Sequence, residues 1–219
     1  MTKGEQAKGI ARLSERTVSG IGASLKVLRD RETGTAEFRG ATRELCALLM
    51  RELQALLSER GVVKEPVLII ILRAAIAFLD SATRIFPDAP VGVFGIRRDP
   101  RTKRPHWYYE NLPPISKKSV IVVLDPMLAT GGSAKAAVSR LILRDADPKS
   151  IYFVGVIAAP EGLSRLARYI PRENIVLAAT DKRLDAYGMI VPGLGDLGDR
   201  YFGYDDSPAF PERRTRKKN

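Results

Sequence analysis

The chain has 219 residues, 45% of them hydrophobic and 28% charged, enough apolar material for one substantial core in a globular protein. Its single cysteine excludes an internal disulfide framework, no apolar run approaches the roughly 20 residues of a bilayer span, and Lys3, Glu5 and Lys8 stand where a secretory leader would be apolar, so a cytoplasmic protein with no membrane partner is expected. The formal charge is +11, from 36 basic against 25 acidic side chains, and it raises an acidic polymer as a partner to be weighed against the rest of the sequence.

In residues 41–60, Leu45, Leu49, Leu53, Leu56 and Leu57 recur at three- and four-residue spacing, and Gly61 follows. That is the pattern of an amphipathic helix with a left-handed stop. Val67-Leu-Ile-Ile-Ile-Leu72 is a continuous apolar run, which predicts a strand covered on both faces. A helix over residues 74–85 and a strand over 91–94 are expected next. Residues 97–118 break the pattern: Arg97-Arg-Asp-Pro-Arg-Thr-Lys-Arg-Pro105 is charged and proline-broken, and His106-Trp-Tyr-Tyr109 is aromatic. Such a stretch predicts a projecting hairpin or arm with a function.

The alternation then resumes, with a strand over 119–124, a Gly-rich turn, a helix over 133–146, a strand over 151–158, a short helix over 161–169 and a last clear strand over 175–179. There is no internal repeat. Alternating strands and helices predict an α/β fold with a mainly parallel sheet flanked by helices, in one domain over residues 1–203. Residues 204–219 carry prolines and then a basic run, and a basic, disordered tail is expected there.

The charge is sorted along the chain. Residues 1–31 hold seven basic and three acidic side chains, residues 97–104 five and one, and residues 211–219 five and one. The remainder is close to neutral. A surface built to grip nucleic acid more often spreads its charge over a face, so nucleic acid is not the expected partner.

The chemistry concentrates after the strand that ends at Leu124. There a buried strand runs into Asp125-Pro-Met-Leu-Ala-Thr130-Gly131-Gly132-Ser133, an acid followed by a small-residue turn that opens a helix. In a parallel sheet, ligands bind at the C-terminal strand ends. Thr130 to Ser133 can offer backbone N–H groups and two hydroxyls to a phosphate at the helix N-terminus. The two glycines allow close backbone approach, and Asp125 would accept from sugar hydroxyls. The spacing to Lys135 is wrong for a P-loop.

This segment resembles the phosphoribosyl pyrophosphate (PRPP) signature of type I phosphoribosyltransferases. Pro126, where most of that family has a second acid, resembles specifically the uracil phosphoribosyltransferase branch. A second match is Ile190-Val-Pro-Gly-Leu-Gly195-Asp196-Leu197-Gly-Asp199-Arg-Tyr-Phe-Gly203. It contains a nominal dinucleotide fingerprint, but it follows a proline rather than a strand and no acid stands about 20 residues on. It is similar instead to the uracil-binding loop of the same branch. A third is Leu72-Arg73, at the end of the first buried strand. Further matches are Arg98 in Gly95-Ile-Arg-Arg98, Tyr108-Tyr-x-x-Leu-Pro113, and Thr35-x-x-Phe38-Arg39. The resemblance covers about residues 25–203, with the arm at about 97–118 and the base-binding loop at about 187–203.

The resemblance implies a type I phosphoribosyltransferase-like fold and transfer of the phosphoribosyl group of PRPP to N1 of uracil, giving UMP and pyrophosphate in pyrimidine salvage. It implies catalytic roles for Arg73, Asp125 and Asp196. PRPP would be held by Arg73, Arg98, Asp125, Pro126, Met127, Leu128, Ala129, Thr130, Gly131, Gly132, Ser133 and Asp196. Uracil would be held by Ile190, Gly195, Asp196 and Leu197. Mg2+ would arrive on PRPP with no direct protein ligand. A homo-oligomer, dimer or tetramer, and a GTP effector are also implied by the resemblance alone.

The chain departs from the family at Ala75 and Ala77, where glycines are usual, at Leu197, where a small residue is usual, and at Arg101 and its neighbours, where the arm is commonly acidic. Leu197 is expected to narrow the base pocket, and the alanines to alter the pyrophosphate turn. Two alternatives stay open: a regulatory or RNA-binding protein that keeps the fold, and the same reaction on a different base. Of the other polar residues, His106 reads as surface or packing and Cys46 as core. Asp181 and Asp185 read as a charged loop rather than a metal pair.

Overall fold

The structure is a computed structural model that describes residues 11, 13–98 and 105–204. Helix α1 (Glu15–Arg29) starts at Ser14, whose Oγ accepts the Thr17 N–H at 3.3 Å. That satisfies one of the N–H groups a helix start leaves without an internal partner. Glu52 of α2 (Thr35–Glu59) accepts from the Ser14 N–H at 3.1 Å and from the Ser14 and Thr17 hydroxyls at 2.6 and 2.5 Å, which ties this cap to the second helix. Periodicity does not predict α1, because Gly20 and Gly22 lower its propensity and its buried apolar stripe is only Ile21, Leu25 and Leu28. The leucine helix was expected from residue 41. It begins at Thr35, with Phe38 and Thr42 extending the buried stripe by polar-flanked turns.

The remaining elements are β1 (Val67–Leu72), α3 (Ile76–Ile85), β2 (Val91–Arg98), β3 (Pro105–Asn111), β4 (Ile121–Leu124), β5 (Met127–Leu128), α4 (Gly132–Leu143), β6 (Ile151–Ala158), α5 (Pro160–Leu166), β7 (Ile175–Thr180), β8 (Arg183–Leu184), β9 (Ile190–Val191) and α6 (Leu197–Phe202). The seven-stranded sheet runs β3, β2, β1, β4, β6, β7, with β5 pairing on β6 beyond the end of β4. Every pairing is parallel except β2 with β3. The mainly parallel α/β sheet expected from the alternation of elements is therefore present. Beyond β7, the small β8–β9 hairpin was not anticipated.

Alternation along the strands makes two cores. Leu68, Ile70, Val122, Leu124, Val154 and Val176 pack with the α1–α2–α3 side, whereas Ile69, Ile71, Ile121, Val123, Phe153 and Ile175 pack with α4 and α5. A strand buried on both faces has no polar side to show, which is why its sequence reads as an unbroken apolar run.

The arm is a hairpin at its base, with Arg98 paired to Pro105; residues 99–104, expected to belong to it, lie outside the described residues. Trp107 meets Phe94 edge-to-face at 5.0 Å and 86°. Glu110 of β3 accepts from Arg140 of α4 and from Arg144 just past its end at 2.8 and 2.5 Å, anchoring the hairpin on that helix. Among the described residues no helix is long and apolar enough to cross a membrane.

Candidate active site

From β1 the chain crosses to α3 on one face of the sheet, and from the neighbouring β4 it crosses to α4 on the other. A crevice opens at such a switch point, beyond the C-terminal strand ends. Ile70 is in register with Leu124, so Arg73 and Asp125 leave adjacent strands on this edge.

Asp125 is half-buried. Its N–H donates to Val154 O at 3.2 Å, and its Oδ1 accepts the Met127 N–H at 3.4 Å. Pro126 and Leu128 are buried, and their carbonyls accept from Val156, Ile157 and Ala159, so this half of the motif is stitched into β6. In the other half Gly131 is buried, and Thr130, Gly132 and Ser133 are partly exposed. Thr130 Oγ1 accepts the Gly132 N–H at 3.4 Å, and Gly131, at φ +72°, opens α4 with no side-chain cap. A Cβ on Gly131 would stand 2.9 Å from Gly162 O, so both φ and space demand glycine. The turn is pressed from below by α5: a Cβ on Gly162 would meet Ala129 O at 2.4 Å and Leu128 O at 2.5 Å. Pro105 of β3 lies within 3.5 Å of the Cβ position of Gly132, which brings the arm's base to the same turn.

Arg73 is 51% exposed and is held from the C-terminal side. Its Nη2 donates to Asp199 Oδ1 at 2.8 Å and its Nη1 to the Tyr204 hydroxyl, while the guanidinium lies over the Phe202 and Tyr204 rings at 5.6 and 5.4 Å. Tyr204, assigned to the tail from sequence, is thus placed on a site residue. Asp199 in turn donates its N–H to Asp196 Oδ1 at 3.0 Å, so Arg73 and Asp196 are linked through one residue. Gly198 lets α6 approach the Arg73 turn, since its Cβ position is 3.4 Å from Ala74 Cβ.

The loop ahead of α6 folds back tightly. Gly193 has φ +65°, Gly195 has φ +80°, and Val191–Pro192 is cis. Ile190 and Leu197 are buried in the α1–α2–α3 core, so Leu197 does not narrow an open pocket with its side chain as expected. Any contact of these two residues with a ligand would be made by backbone. Ala75 has φ −68° and ψ −8°, and Ala77 lies within α3; both are buried in ordinary helical backbone. Alanine therefore fits at both places, and no distortion of the turn follows from it.

The Arg98 side chain lies outside the described residues. His106 is exposed on β3 and Cys46 is buried, in line with the sequence reading. Asp181 differs from it: rather than a solvated loop charge it is buried, paired with Arg29 at 2.6 Å. Asp185 accepts from the Tyr187 and Met189 N–H groups and shapes the β8–β9 turn. Among the described residues no three His, Cys, Asp or Glu side chains gather as a metal site. Sequence reasoning missed Gly162, Arg29 and Arg200. Gly162 and Arg29 act through residues far along the chain with no local motif to mark them, and Arg200, although inside the second match, works mainly on carbonyls about 170 residues away.

The sequence profile described as Uracil phosphoribosyltransferase matches residues 19–204. The chain is 43% identical over 194 residues to the uracil phosphoribosyltransferase of Dictyoglomus thermophilum, spanning 82% of this chain and 93% of that one. It is 42% identical over 194 residues to that of Geobacillus kaustophilus, spanning 82% and 92%. A solved structure of a protein from Aquifex aeolicus superposes with a TM-score of 0.78 at 32% identity, covering 90% of this chain and 99% of that one.

Proposed function

The chain belongs to the uracil phosphoribosyltransferase family, and we propose that it transfers the phosphoribosyl group of PRPP to N1 of uracil, releasing pyrophosphate and leaving UMP. The observation that carries the residue assignment is the pairing of two complementary groups across the switch point. On one side is the α4 N-terminus, opened by left-handed Gly131, with the Thr130 hydroxyl beside it on the Gly132 N–H. On the other is the Arg73 guanidinium, half exposed on the adjacent strand end. A substrate with a phosphate at one end and a pyrophosphate at the other suits that pair.

In this reading the N–H groups of Gly131, Gly132 and Ser133, with the Thr130 hydroxyl, would hold the 5′-phosphate. Asp125 would accept from the ribose hydroxyls. Arg73 would exchange Asp199 for the pyrophosphate, where its planar fork can donate to two oxygens at once. As the bond at C1 breaks, negative charge grows on the leaving group, and preorganised donors stabilise it without reorganising. Gly195 and Asp196 would present main-chain groups to the uracil edge, and Asp196 also bears on Arg73 through Asp199. No nucleophilic side chain is required. The arm, whose base reaches Gly132, would exclude water.

Among the described residues, separate carboxylates rather than a ligand cluster line this edge, which would suit a Mg2+ ion brought in on the substrate's own phosphate oxygens. Such an ion supplies neutralising charge to the leaving pyrophosphate. A homo-oligomer, dimer or tetramer, belongs to the same proposal and rests on family membership. Sedimentation velocity at micromolar chain concentration is expected to give at least a dimer, and a monomer throughout would remove this part.

The direct test mixes protein, PRPP, Mg2+ and radiolabelled uracil and separates the products. UMP is expected from the wild type. Asp125→Asn is expected to lower kcat about 100-fold, the scale seen when one transition-state group is removed, with little change in Tm. Wild-type turnover in Asp125→Asn would show that the sugar site is elsewhere. The family match makes a regulatory, RNA-binding role the less favoured reading. Salt-sensitive RNA binding with no UMP formed would restore it.

A further inference from the structure

Two arginines join the base loop to the end of α1. Arg29, the last residue of α1, donates from Nη2 to Asp181 Oδ1 at 2.6 Å and from Nη1 to Asp181 Oδ2 at 2.9 Å. The same Nη1 reaches Gly193 O at 2.8 Å, while the Gly193 N–H donates to Asp181 Oδ2 at 2.8 Å. Both main-chain polar groups of Gly193 are therefore taken by one ion pair, which closes a ring around that residue. Asp181 is buried and follows directly on β7, so the pair stands on the sheet. Arg200 of α6 makes the reverse connection: it donates to Leu194 O at 2.7 Å and to Leu28 O and Asp30 O at the α1 terminus.

Gly193 is where the loop turns most sharply, with its Cβ position 2.1 Å from Ile190 O. Two residues further lie Gly195 and Asp196. A loop that reads a base by backbone groups has no side-chain rotamers to adjust, so its selectivity depends on how firmly the turn before it is set. We propose that Arg29 and Asp181 are positioning residues that set the Gly193 turn, and thereby the affinity for the nucleobase, without touching either substrate. The proposal rests on the reading of residues 190–197 as the base loop. Arg29 suits this work because its fork serves the carboxylate and the carbonyl together. A lysine is a single point of charge and cannot keep all three bonds.

The experiment measures KM for uracil, KM for PRPP, kcat, PRPP binding without uracil, and Tm, in wild type, Arg29→Met, Arg29→Lys and Asp181→Asn. The expected result is a KM for uracil raised at least tenfold in Arg29→Met and Asp181→Asn, with KM for PRPP and PRPP binding within twofold. Arg29→Lys, which keeps the ion pair and loses the carbonyl bond, is expected in between. An unchanged KM for uracil overturns the proposal. So does a parallel rise in both KM values with a fall in Tm, which marks a general structural role. Should Arg29→Met or Asp181→Asn fail to fold, the uracil-to-PRPP contrast in Arg29→Lys decides. If the wild type uses another base, the assignment of uracil falls, and the same contrast measured with that base still judges the clamp.

Discussion

Arg73 shows how much of a site can hang on one side chain. It is held by Asp199 and Tyr204 and covered by the Phe202 ring, yet half of its surface is exposed toward the strand ends. Its planar fork is what a pyrophosphate needs, and an ammonium offers the charge without the geometry. Arg73→Lys is therefore expected to lower kcat/KM for PRPP at least tenfold while leaving Tm within about 2 °C, since an exposed ion pair contributes only about 0–1 kcal/mol. Steady-state kinetics and a thermal melt check both parts. Cys46 is the opposite kind of residue. Full burial pushes its thiol well above the ordinary range, because the thiolate would lose its hydration. The thiol keeps its proton in the folded chain at pH values where the unfolded chain loses it. Stability linked to Cys46 is thus complete below about pH 8.5 and declines above it, by up to about 1.4 kcal/mol per unit. Ellman's reagent is expected to leave the native protein unmodified at pH 8 and to react with one thiol after denaturation.

At the scale of elements, the terminus of α1 is the joint on which the base loop depends. Leu28 and Asp30 present carbonyls that the helix cannot satisfy internally, and buried Arg200 takes both along with Leu194 O while lying 4.1 Å from the Phe38 ring. Arg200→Met keeps the bulk and strands those acceptors. A loss of about 3 kcal/mol is expected, since each unsatisfied buried group costs about 1–3 kcal/mol. At roughly 2–4 °C per kcal/mol for a chain this long, calorimetry should find Tm lowered by about 6–12 °C. The local pattern carried β1 and β6 in full and the leucine face of α2, because burial on both faces, or on one helical stripe, is written into neighbouring residues. The strand–acid–small-residue order drew attention to Asp125 and the Thr130–Ser133 turn, whereas the Gly193–Gly195 turn gained a role only from the family resemblance; the structure gives both turns left-handed glycines. The local pattern did not carry α1, whose two glycines mute the helical pattern, nor the Arg29–Asp181 pair, whose partners stand 152 positions apart. Gly162 escaped for the same reason: the carbonyls it accommodates belong to another loop.

Taken as a whole, the molecule carries +11, but sequence position assigns most of that charge to the two ends and the arm. The described site contributes chiefly Arg73, facing a small polyanion rather than a polymer. Charge of this kind draws a highly charged substrate more than a neutral one, and salt screens it with a Debye length of about 8–10 Å near physiological strength. Raising the salt from 50 to 500 mM is therefore expected to reduce kcat/KM for PRPP several-fold while changing kcat/KM for uracil, which is uncharged, by less than twofold. Equal sensitivity of the two would place the arm's charge outside substrate capture. The central claim is the identity of the base, and competition tests it most directly. Protein, Mg2+ and limiting PRPP are mixed with equimolar uracil, cytosine, adenine and hypoxanthine, and the nucleotides formed are resolved chromatographically. UMP is predicted to dominate the products; predominance of any other nucleotide, or PRPP left unconsumed, would contradict the account.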